Sequence, residues 1–206
     1  MRKFVLSVLM VLDVLFAYSV ANAKGTKEKY LKKEVQIESK RLKQKGWKIL
    51  DDRNLNDALF NHFRHRGEEY YEVVGVCYDF VNEKVARKVA LSNAIAYATS
   101  SYCCNFIPPK FGYIDPSLQG FYEEYERMLK KNVKDSLMES FGIVRTTEVD
   151  ESGVEKKELM VYYLISFEAV MDARVRAFEH ASRVFGLNEE EKNQIRETVP
   201  HINWGL

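Results

Sequence analysis

Two separate segments of this chain carry alanine at every fourth position: Ala86, Ala90, Ala94 and Ala98, then Ala169, Ala173, Ala177 and Ala181. Four-residue spacing sets each group in one row along a helix surface. Such a row lets a helix lie close against its neighbour, because nothing larger than a methyl holds the backbones apart. Each alanine helix follows a stretch that reads as strand. Tyr70 to Phe80, "YYEVVGVCYDF", is rich in β-branched and aromatic residues, and "LMVYYLISF" at Leu159 to Phe167 is apolar on both faces, which suits a central strand. The repeated device predicts an α+β fold: a small antiparallel sheet with both alanine-rich helices on one face, ordered strand–helix, inserted long helix, hairpin–helix, with N-terminal helices added.

The remaining elements follow from local signals. Thr26 to Lys45 reads as a helix with Leu31, Val35 and Leu42 inward and Gly46 as its stop. "WKIL" is a short extended piece. An Asn-capped helix with Leu55, Leu59 and Phe63 at i, i+4, i+8 closes at Gly67. The alanine helix from Val85 to Tyr102 shows only a narrow polar wedge (Lys88, Ser92, Thr99) and is expected to be covered on most sides. Asn105 to Gly120 is irregular and holds three of the four prolines. An amphipathic helix is predicted over Phe121 to Phe141, then strands Ile143 to Val149 and Leu159 to Phe167 joined through "DESG". Glu168 to Phe185 is the second alanine helix, and Asn188 with Glu191 forms a capping box for a last short one. The expected organisation is therefore a leader over 1–23, an N-terminal helical segment over 24–67, an α+β domain over 68–187, and a helix with tail over 188–206.

The leader is read from "MRKFVLSVLMVLDVLFAYSVANAKG". Arg2 and Lys3 precede an apolar run, and Ala21-Asn22-Ala23 fits signal-peptidase cleavage after Ala23. Asp13 interrupts the run, which disfavours an anchor helix of about 20 residues. The expectation is a periplasmic or secreted protein with no integral membrane span. The chain after Ala23 carries 29 basic and 29 acidic residues, a balance unlike that of a nucleic-acid binder. One local asymmetry remains: Lys24 to Lys45 holds nine Lys or Arg against Glu28, Glu34 and Glu38. This basic helix reads either as an ordinary solvated face or as a contact with an envelope protein or an anionic envelope surface, with Lys32, Lys33, Lys40, Arg41 and Lys43 as the candidate contacts.

Three cysteines in an exported chain leave either a bridge and one thiol or three thiols. Cys103 and Cys104 are neighbours, too close for an unstrained mutual disulfide. A bridge from Cys77 to one of them is the better pairing. A helix of about 27 Å returning over about 27 Å of extended chain would bring them together.

Catalytic signatures are sparse. His62 and His65 stand at i, i+3, but no HExxH or CxxC accompanies them and Arg64 and Arg66 sit beside them, so they read as an exposed helix face. His180 and His201 read as isolated. No GxSxG, no glycine-rich phosphate loop and no metal or cofactor motif is recognisable, and the cysteine pair follows a helix at its negative end, which works against a thiolate.

"LKQKGWKIL", "VARKVALSNAIAYA", "YYLISFEAVMDARVRAFEHA" and the "INWGL" tail resemble a group of uncharacterised exported proteins of Gram-negative bacteria. The order strand, alanine helix, hairpin, helix is more distantly similar to the twenty-kilodalton envelope lipoprotein family. The resemblance implies an envelope accessory or structural role with no active site to carry over, although this chain lacks an anchor cysteine near Ala23. The expectation is thus a non-enzymatic envelope protein. The alternative is a small-ligand binder or thiol-dependent enzyme with a site near residues 102–120, using Tyr102, Tyr113 and the cysteines.

Overall fold

A computed structural model describes residues 27–67, 69–103, 118–149 and 151–198. Helix α1 covers 27–44 and ends at Gly46, whose φ of +80° is the left-handed turn that glycine adopts without strain. It leads to β1 (Lys48–Ile49) and α2 (Leu55–His65), whose Asn54 cap accepts from the Asp57 N–H at 2.9 Å. Next come β2 (Tyr70–Phe80), α3 (Glu83–Ala98) and a π-helical turn at Thr99–Cys103. Helix α4 (Gln119–Ser136), the hairpin β3 (Met138–Val149) and β4 (Glu155–Ser166), α5 (Phe167–Val184) and α6 (Glu189–Thr198) complete the order. The sheet is antiparallel, in the order β1-β3-β4-β2, so β4 is central as its two-sided apolar sequence predicts.

Strand alternation divides the core between the two faces. Val73, Cys77, Leu159, Val161, Tyr163 and Ile165 point to one side, where they meet α3, α4 and α5. Phe141, Ile143 and Tyr162 point to the other, against Val35, Leu42 and Trp47 at α1 and Leu55, Leu59 and Phe63 of α2. The N-terminal helices therefore roof the second face, giving a helix–sheet–helix sandwich. Both alanine rows bury on the first face, but in different ways. Ala86, Ala90, Ala94 and Ala98 of α3 are fully buried against β2 and β4. The contact is so close that a Cβ on Gly75 of β2 would stand 2.0 Å from the Ala90 carbonyl oxygen. Ala173, Ala177 and Ala181 of α5 instead serve a long antiparallel pairing with α4, marked by Asn132 Nδ2 donating to Ala173 O at 3.1 Å.

Strand β2 is an 11-residue edge. The Phe167 N–H donates to Glu69 O at 2.9 Å, which fixes odd-numbered residues of β2 towards β4 and turns even-numbered main-chain groups outwards. Three of those outward oxygens are taken within the chain. Gly67 N–H reaches Tyr70 O at 3.0 Å, the Tyr102 hydroxyl reaches Glu72 O at 2.9 Å, and Asn93 Nδ2 reaches Val76 O at 2.8 Å.

Three expectations need correction. The long helix ends at Ser136 rather than Phe141: pairing with β4 takes over from Met138, and Phe141 stacks on Tyr162, 4.4 Å between centroids. Helix α3 is not covered on most sides, since Val85, Val89, Ala96 and Tyr97 lie exposed and only the alanine row is fully sunk. The Cys77 bridge to Cys103 does not form. Strand β2 stops at Phe80, so Cys77 lies near the start of α3, which passes it early: Ala90 and Asn93 meet Gly75 and Val76, and Tyr102 has already reached Glu72. Cys104, Tyr113, His201 and the segment 1–23 expected to be a leader lie outside the described residues.

Candidate binding surface on the first helix

Helix α1 is held from beneath by Val35, Ser39 and Leu42, all buried, with Trp47 closing its C-terminal end. Its remaining circumference is free to face solvent. Lys32, Lys33, Lys40, Arg41 and Lys43, the five residues singled out in the sequence, are all exposed on it. Lys32 pairs with Glu28 at 2.7 Å and Arg41 with Glu38 through two hydrogen bonds, at 2.7 and 2.5 Å. Lys33, Lys40 and Lys43 make no ion pair among the described residues. At 100° per residue, Lys29, Lys33, Lys40 and Gln44 share the outermost face with Tyr30 and Ile37, and no carboxylate falls among them. Glu34 and Glu38 stand on one flank, and Glu28 lies in the first turn on the side of Val35 and Ser39. Lys29, Lys33 and Lys40 thus lie where α1 points away from the protein, with Arg41 on one flank and Lys32 and Lys43 on the other.

Two grooves border this helix. One, of about 640 Å³, has Leu31, Phe60 and Phe63 in its floor and Arg64 and Arg66 on its α2 side. The other, of about 490 Å³, is lined by polar residues, Lys40 and Lys43 among them. Arg66 lies over the Phe63 ring at 4.2 Å and donates to Glu34 of α1, tying the two helices together.

Beneath α2, the structure overturns the reading of His62 as part of an exposed face. His62 is fully buried, its Nε2 lies 2.6 Å from Glu72 Oε2 on β2, and its ring meets Phe141 and Tyr162 edge-on. Its Nδ1 finds no hydrogen-bond partner among the described residues. Burial alone would raise the Glu72 carboxyl. The His62 hydrogen bond and the charges of His62 and Arg66 outweigh it and hold the group below its ordinary value. The signal was present: His62 follows Leu55 and Leu59 at i+7 and i+3, on the inward stripe. His65 does lie exposed. His180 is not isolated, since it sits 2.8 Å from Glu124, whose carboxyl is held down at about 2 by Arg127 first and then His180.

On the other face, the π-helical turn brings Tyr102 and Cys103 to the buried Arg174 of α5. Arg174 Nε donates to Cys103 O at 3.1 Å and Nη2 to Tyr102 O at 2.5 Å, so the guanidinium caps the negative end of that helix. Arg174 also escaped notice in sequence, although it lies one turn from Val170 and Ala177 on the inward stripe. Tyr102 stacks on Tyr71 at 4.2 Å, and burial, then Tyr97, push its hydroxyl up to about 12. Burial likewise pushes the Cys77 thiol up. The Tyr102 hydroxyl and the Arg174 guanidinium are spent on main-chain oxygens and tie β2, the π-helical turn and α5 together. Among the described residues no three His, Cys, Asp or Glu side chains gather as a metal site, and no helix is long and apolar enough to cross a membrane.

No family model, no curated protein and no solved structure matches this chain.

Proposed function

We propose that this is an exported, non-enzymatic accessory or structural protein of the cell envelope, acting by contact through the outer face of α1. One observation carries the reading: Lys29, Lys33 and Lys40 share an exposed, carboxylate-free outer side of α1 while the opposite side is locked to the sheet. Charges spent on folding would be distributed among partners, as Glu72, Glu124 and Arg174 are. Charges left unpaired in one array raise the local concentration of an anionic partner and orient its approach. The leader-like N-terminus and the resemblance to exported envelope proteins support the compartment, and an anionic envelope surface or an acidic envelope protein fits the charge.

The test is fractionation of the native protein. It should sediment with the envelope, be released by about 1 M salt, where screening acts within about 3 Å, and begin at Lys24 on N-terminal sequencing. Lys29→Glu combined with Lys33→Glu and Lys40→Glu should move it to the soluble fraction with its fold intact by circular dichroism. A cytosolic full-length species, or a triple variant that still sediments, would refute the reading.

A further inference from the structure

The cationic face of α1 has apolar side chains set within it. Tyr30 is 70% and Ile37 61% exposed, seven residues apart and therefore on one line along the helix, about 10 Å from each other. Lys29, Lys33 and Lys40 run beside that line on one side and Arg41 on the other. The core-facing positions of α1 are already filled by Leu31, Val35 and Leu42, so Tyr30 and Ile37 have no packing role in the fold. A soluble polyanion would satisfy the lysines and leave both apolar groups in water. A layered partner, with phosphates above and hydrocarbon beneath, satisfies both sets at once.

We propose that the surface bound by α1 is the headgroup layer of an anionic lipid bilayer. This rests on the reading of α1 as the binding face and names its partner. Helix α1 lies in the plane of the membrane, parallel to it over about 27 Å. Tyr30 and Ile37 sink below the phosphates, and the lysines bury their methylene stems while their ammonium groups reach back to the phosphate oxygens. The buried stripe of α1 stays on the sheet, so the protein docks as a folded body and no span is formed.

The experiment uses the full chain and vesicles of phosphatidylethanolamine with one quarter phosphatidylglycerol, against vesicles of phosphatidylcholine, at about 0.1 M salt. A Tyr30→Trp variant should show blue-shifted fluorescence that brominated lipid quenches, with the anionic vesicles alone. Lys29→Gln with Lys33→Gln and Lys40→Gln should weaken binding to them about a hundredfold, at about fivefold per lysine. Tyr30→Ser with Ile37→Ser should weaken it by more than about tenfold while leaving binding to soluble polyphosphate unchanged. Equal binding to both vesicle types, or no spectral shift at position 30, overturns the lipid assignment. So does tight binding to a single-stranded oligonucleotide that ignores the Tyr30 and Ile37 changes. If the lipid assignment fails while the lysine variants still lose envelope sedimentation, the binding face stands with a different partner. If they keep it, the face itself is wrong.

Discussion

Gly75 offers the sharpest probe of the fold, because its substitution by alanine sets two effects of opposite sign against each other. In a strand interior, alanine should be favoured over glycine by about 0.5–1 kcal/mol through the entropy of the unfolded chain. Here the new methyl would stand 2.0 Å from Ala90 O and 2.6 Å from its carbon, both main-chain atoms of a helix that cannot swing aside. Restoring ordinary contact at 3.4 Å requires α3 to retreat by about 1.4 Å. A gap of even 0.5–1 Å forfeits a quarter to a half of each dispersion contact, and the four fully buried alanines of α3 all lie in the affected seam. The cost should reach the upper end of overpacking, about 3 kcal/mol, for a net loss of about 2–2.5 kcal/mol. Urea denaturation followed by circular dichroism measures it, with Gly142→Ala as the matched control. There the closest neighbour of the added Cβ is Leu50 Cδ1 at 3.3 Å, the end of a flexible side chain, with Met160 O at an ordinary 3.8 Å, and the loss should stay below about 1 kcal/mol. If Gly75→Ala is as stable as the native chain, or merely matches Gly142→Ala, α3 does not lie against β2 as described.

The same logic extends to larger groups: Ala90→Leu at the sheet and Ala177→Leu at the α4–α5 seam should each cost about 1–3 kcal/mol, and an unchanged urea midpoint for either would place that row in solvent. Replacing Arg174 by Met removes both donors to the oxygens of Tyr102 and Cys103 and should cost about 1–3 kcal/mol; hydrogen exchange at 99–103 should quicken, and unchanged exchange would refute the cap. The Glu72 carboxyl is lowered on folding, so its contribution is complete above its unfolded value near about 4.3 and is lost as pH falls through the depressed one. The stability gap between the native chain and Glu72→Gln should therefore shrink in acid, whereas a gap constant from neutral pH to about pH 3 would contradict the pairing with His62. Cys77 should resist iodoacetamide until the chain is unfolded, and a Cys77–Cys103 peptide pair in the non-reduced digest would overturn the passage of α3 described above.

The alanine rows, the β2 strand, the hairpin and the central place of β4 were legible because each rests on periodicity or turn chemistry that a short window contains. The break at Ser136 was not, because a helical stripe and a strand alternation can both include Leu137 and Phe141, and stacking on Tyr162 decides between them. The polar interior was missed for a related reason. His62 and Arg174 occupy apolar-stripe positions, but a polar residue there is explained only by its partner, and Glu72 and the Tyr102 and Cys103 oxygens lie on other elements. The disulfide expectation failed on a length: extended chain was counted past Phe80, where the strand had already ended. The basic face of α1 was legible as composition, while its separation from the flanking carboxylates emerged only from the helical arrangement and its burial.

The capped edge of β2 bears on how this protein lives at high concentration. An 11-residue edge strand with free outward oxygens is a template on which another copy can add, and addition can then continue copy after copy. By occupying Glu72 O and Val76 O, Tyr102 and Asn93 work as stoppers against polymerisation. Their loss would surface as a lowered solubility limit and a shorter lag before fibres nucleate, in a chain that melts almost where it did before.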